Sequence, residues 1–150
     1  MAKSFSASVR DWGNRTKQAQ EAILHSSLED VMAVASVTQE SAKTRNGPAQ
    51  QGAIPRDTGH LVNTVAADLN GSGSFGTDDK NDVTLLINDM KAGDKMHIAW
   101  TAAYAHRINS GFVGTDSLGR TFEQGGVHWV ETAAEKWDAI VQANAEFLKV

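Results

Sequence analysis

The sequence has no cysteine, which excludes a disulfide framework, a zinc ribbon and thiol catalysis together. A reducing compartment is compatible with that. No stretch approaches the ~18 apolar residues of a membrane span, and Met1-Ala2-Lys3-Ser4-Phe5 lacks the apolar core of a signal peptide. The expectation is therefore a soluble chain made in a cytoplasm, with no membrane partner. On that footing the sequons Asn14-Arg15-Thr16 and Asn70-Gly71-Ser72 carry no meaning. No H-E-x-x-H helix and no G-x-S-x-G elbow occur, and His25, His60, His97, His106 and His128 lack the short spacing of metal ligands. Neither a metal nor a cofactor is expected.

What is present is ordinary globular material. The chain of 150 residues, 41% hydrophobic and 21% charged, suits a single domain able to bury roughly 70% of its unfolded surface. The net charge of −4 is uneven: residues 1–60 hold seven Lys/Arg and six Asp/Glu, residues 61–150 seven and twelve. Tight nucleic-acid binding needs clustered Lys/Arg, so it is disfavoured. An acidic surface beside DNA would repel it, which suits a channel that DNA must pass without sticking.

Along the chain, Phe5, Val9, Trp12, Thr16, Ala19 and Ile23 alternate four and three apart and predict one face of a helix. The pattern resumes at Leu28, Val31, Val34, Ala35 and Thr38, as one helix kinked near Gly13-Asn14 or as two. Core packing is the expectation for Leu28 to Thr38. The face from Phe5 to Ile23 extends beyond what a small sheet can cover and is a candidate subunit contact. Ser41 to Ala53 reads as a mobile polar loop. Leu61 to Leu69, Val83 to Ile87 and Met96 to Trp100 read as strands of an antiparallel meander, and Thr101 to Ser110 as a short helix. The glycine-rich Gly111 to Gly126 is least defined. Val127 to Leu148 repeats at three and four and predicts a helix over the sheet, interrupted by polar Asn144. The fold class is α+β, one domain over 1–150, with a helical arm (1–43) and a sheet with its C-terminal helix (54–150).

Two short pieces carry most of the information, Ile54 to Leu61 and its companion Tyr104-Ala105-His106-Arg107-Ile108-Asn109-Ser110-Gly111-Phe112. In Ile54-Pro55-Arg56-Asp57-Thr58-Gly59-His60-Leu61, Pro55 fixes its own φ and pushes Ile54 toward extended geometry, Asp57 can accept backbone N–H bonds and Gly59 can take φ > 0. The piece is a corner. Asp57-Thr58-Gly59 also matches the triplet of aspartic proteases, but those follow a buried hydrophobic strand that desolvates the carboxylate. Here a polar loop precedes it, so a turn or cap role is expected. Gly71-Ser72-Gly73-Ser74-Phe75-Gly76 fits G-x-G-x-x-G, yet acidic residues and a further strand follow rather than a helix N-terminus. A flexible tip is the better reading. Of Trp12, Trp100, Trp129 and Trp137, three fall on apolar faces and Trp129 is expected to be partly exposed.

The corner, together with the long amphipathic helix, Tyr104-Ala105 running on to Gly111-Phe112, and the C-terminal helix, resembles the tail-completion or neck proteins of long-tailed bacteriophages. His60 stands where that pattern usually has a basic residue, and the loop from Gly111 to Gly126 is long. The resemblance implies a non-enzymatic structural protein of the virion neck, assembled from the host cytoplasm. It would be a subunit of a sixfold ring between the head-completion (stopper) protein and the tail terminator, around DNA that passes without specific binding. A tail terminator itself is the alternative connector, and an Asp-Thr-Gly protease the alternative enzyme. The motif residues are Pro55, Asp57, Thr58, Gly59, Leu61, Tyr104, Gly111 and Phe112. Candidate interface residues are Phe5, Val9, Trp12, Ile23, Phe75 and Trp129, and candidate lumen charges are Asp78, Asp79 and Asp82.

Overall fold

The computed structural model describes residues 2–115 and 117–148, apart from the side chain of Phe122. Its architecture is α+β. Helix α1 (Phe5–Ala35) is one continuous element of 31 residues, opened by Ser4, whose hydroxyl accepts from the Ala7 N–H at 3.2 Å. Gly13 does not break it. A side chain there would meet open space, so the glycine costs about 1 kcal/mol of propensity and no packing.

Among the described residues, three two-stranded ladders replace the expected continuous meander. Strands β1 (Thr38–Glu40) and β2 (Ile54–Arg56) pair in parallel. After the single turn α2 (His60–Asn63), strand β3 (Val65–Leu69) pairs antiparallel with β4 (Met96–Trp100), Val65 opposite Trp100 and Leu69 opposite Met96. Helix α4 (Ala105–Ser110) leads into the antiparallel hairpin of β5 (Gly111–Thr115) and β6 (Thr121–Gly125). The segment least defined by pattern is thus a regular ladder. Gly111 makes its start possible: its φ is +89°, and a Cβ there would lie 2.7 Å from the Gln124 carbonyl.

Val83 to Ile87, expected as a strand, is helix α3 (Val83–Asp89). A short apolar run satisfies both periods, and the cap decides. Asp82 accepts from the Leu85 N–H at 3.0 Å, closing a helical first turn. Beside it, the Asn81 amide bonds both the N–H (2.8 Å) and the carbonyl (2.7 Å) of Ala67, taking the place of a third strand on β3. The turn before β4 is held likewise. The backbone N–H of Lys91 and then the Asn70 amide hold the Asp94 carboxyl below its ordinary value of 3.8.

Two apolar clusters form. The first joins Ile54, Leu61, Ala102, Ala105, Val127 and Trp129, and the second joins Ala67, Val83 and Ile87 beneath Leu28 and Met32 of α1. The C-terminal segment divides into α5 (Trp129–Glu135) and α6 (Trp137–Phe147). α5 supplies Trp129 to the first cluster, while α6 lies along α1. Asn144, which breaks the apolar stripe, is the tie between them: its amide donates to the buried Ser27 hydroxyl at 3.2 Å and to Asp30 at 3.0 Å. The segment 41–53 is anchored rather than loose. The Gln39 side chain bonds Gln50 and Ala53, and the Gly52 N–H donates to the Val127 carbonyl at 2.6 Å.

Candidate functional site: a groove at the corner

The corner forms because β2 ends at Arg56 and the chain must reverse before Leu61 enters the core. Gly59 makes the reversal at φ +86°, and a Cβ there would crowd the side chains of Asn63 and Arg56. The Thr58 hydroxyl accepts from the His60 N–H at 3.3 Å. Asp57 does not cap, contrary to the expectation from its position. Its side chain, 57% exposed, pairs with Lys43 at 3.0 Å. Lys43 reaches it because the 41–53 segment is folded over the corner, so a charge partner takes the place of the backbone donors.

The two pieces singled out in the sequence meet here. Pro55, Asp57, Thr58, Gly59 and Leu61 line one side of a groove of about 790 Å³, and Tyr104 and Ile108 line another. The remaining walls are the 41–51 segment and residues 123–127. His60 bridges outward from the corner: its Nε2 lies 2.8 Å from Asp78 and its ring 6.2 Å from that of Tyr104. Gly111 and Phe112 do not line the groove. They stand behind it on β5, opposite Gly125 and Gln124, with the Arg107 guanidinium 3.8 Å above the Phe112 ring.

The other candidates disperse. Phe5, Val9 and Trp12 project from α1, exposed by 86%, 50% and 65%, and Ile23 is half-buried. Phe75 is half-buried at a separate depression of about 290 Å³, beside Ala99 and Trp100. Trp129, expected to be partly exposed, is 1% exposed. His128 adopts φ +50° and turns the chain so that Val127 and Trp129 both face inward, where Trp129 meets Trp100 edge-on at 5.9 Å. The alternation of Val127 and Trp129 about a polar residue was the signal for this.

Asp78, Asp79 and Asp82 are exposed, but each is engaged locally: Asp78 with His60, Asp79 with the Gly76 N–H at 2.6 Å, and Asp82 as the α3 cap. Charge reversal there would disturb the loop as well as the surface. The groove residues that sequence reasoning missed, Pro48, Gln51 and Val127 among them, sit in a polar loop and beside a glycine pair. Nothing in their local pattern marks them.

Chemically, the groove offers a mixed lining: apolar surface from Ala49, Pro55, Tyr104 and Ile108, and the charged Lys43, Arg45, Asp57 and Glu123. Asp57 is open to water and held by a lysine, which gives no support to a desolvated carboxylate pair. Among the described residues, no three His, Cys, Asp or Glu side chains gather as metal ligands, and no helix is long and apolar enough to cross a membrane. No family model, curated protein or solved structure matches the chain.

Proposed function

We propose that the protein is a structural subunit of a bacteriophage neck, acting as one member of a sixfold ring between the head-completion protein and the tail terminator, around the DNA path. One observation supports the reading most. The corner from Pro55 to Leu61 and the segment bearing Tyr104, on which the resemblance to neck proteins rests, wall a single groove. A motif spread over two distant stretches serves one surface if that surface makes one contact. Closed rings require such surfaces, since each subunit meets the next through unlike faces.

Quantitative mass spectrometry of intact purified particles from a producing strain tests this. A fixed copy number relative to the portal protein, matching a sixfold or twelvefold ring, is the expected result. Presence in the lysate but absence from the particles would remove the neck reading.

A further inference from the structure

We propose that the N-terminal arm of one copy docks in the corner groove of a second copy, a head-to-tail contact between unlike surfaces. This rests on the reading of the chain as a ring subunit and names the two faces that meet.

Among the described residues, none of the body covers the arm. No residue of α1 before Ser27 is buried, and among the described residues the first hydrogen bond from the body to α1 is that of the Ala92 N–H to Glu21. Phe5, Val9 and Trp12 stand on one face of this overhang, the i, i+4, i+7 spacing by which a helix anchors in an apolar groove. The groove supplies the matching concavity, with Pro48, Ala49, Pro55, Tyr104 and Ile108 as accessible apolar wall over the buried Leu61 and Val127, and a size suited to a few large side chains.

Geometry makes the contact intermolecular. At 1.5 Å per residue, a continuous helix holds Trp12 and Phe5 about 35–45 Å from its own C-terminal end at Ala35. The groove begins close to that end, at Ser41, so the arm cannot reach it without breaking α1.

Charge selects the occupant. Residues 2–20 hold four of the fourteen Lys/Arg and one of the eighteen Asp/Glu, so the arm carries +3 and the rest of the chain −7. Arm-to-arm pairing would oppose like charges, whereas arm-to-body pairing joins opposite ones and favours encounter. The groove itself adds no net repulsion: among its lining residues the cations Lys43 and Arg45 are matched by Asp57 and Glu123, and Lys43 pairs with Asp57 at 3.0 Å. An anionic membrane or DNA would attract the arm but repel the −7 body.

The test uses full chains in sedimentation velocity from micromolar to millimolar concentration. Wild type is expected to self-associate, more weakly at high salt. Trp12→Glu removes the anchor, and Thr58→Trp fills the groove from an exposed position; each should weaken association on the order of thirtyfold, as loss of an interface hot spot does. Ala42→Trp is a second groove-filling variant, and circular dichroism checks that all three fold.

The decisive sample is an equal mixture of Trp12→Glu and Thr58→Trp, which retains one intact arm and one intact groove. It should form dimers and nothing larger. A wild type monomeric throughout, variants that associate normally, or a mixture no more associated than its components would each overturn the proposal. So would loss of anionic-vesicle binding, rather than of self-association, in Trp12→Glu. Normal assembly of these variants into particles that contain the chain would refute the arm contact and leave the neck reading standing. Association without incorporation would do the reverse.

Discussion

The two halves of α1 carry the same apolar period and meet opposite fates. In the second half Leu28 and Met32 pack on the second cluster, and Ser27 and Ala35 are buried. From Phe5 to Trp12 the stripe faces solvent. The difference lies in what is opposite. α6 is 11 residues long and α1 is 31, so the cover ends before the helix does. Periodicity identifies a face; it does not supply the element that buries it.

The largest expected contrast is between two tryptophans. Trp129→Ala, in the core, should cost about 3–5 kcal/mol in urea unfolding, while Trp12→Ala on the arm should stay within about 0.5 kcal/mol. Similar losses for the two would break the comparison, because the arm would then have a partner inside the chain.

Asn144→Ala comes next. It leaves the buried Ser27 hydroxyl without the amide that joins α6 to α1, and about 1–2 kcal/mol should be lost. Hydrogen exchange sharpens the point: amides around Ser27 should speed up in this variant, and those near Val9 should not change.

Asp82→Ala removes the cap of α3, the helix under the anchored half, and should cost about 1 kcal/mol. Asp82→Asn should recover most of it, since an amide oxygen caps as well. A flat response to both would mean that packing of Val83 and Ile87 alone holds the helix.

The smallest effect is a pH dependence where the anchored half begins. Asp94 orders the turn whose Ala92 contacts Glu21. Its folded carboxyl lies below the ordinary 3.8 because the Lys91 N–H and then the Asn70 amide stabilise the charged form. A depressed carboxylate contributes stability above its unfolded value and loses it as pH falls through the folded one. The contribution should therefore be intact above pH 3.8 and decline below it, and be missing in Asp94→Asn. Titration of Asp94 by NMR at or above 3.8 would contradict this.

The long first helix, the short α4 and the helical C-terminal stretch were legible, because the period of Phe5 to Ala35 and the spacing of Tyr104 and Ile108 follow directly from helical geometry. The corner was legible too, since Pro55 restricts the backbone locally and Gly59 admits the positive φ that the reversal needs. Asp57 was not: whether it caps or pairs depended on Lys43, brought in by a loop fourteen residues upstream.

What the sequence determined by itself is therefore local: which segments could be helical, where the chain must turn, and that the acidic residues concentrate after residue 60. Tertiary structure decided three things that depend on partners distant in sequence. It chose helix over strand for Val83 to Ile87 through a cap and a packing surface, placed Trp129 inside and Trp12 outside, and joined the two motif pieces across one groove. Backbone preferences act between neighbours in sequence, whereas burial depends on which surfaces the closed chain brings face to face.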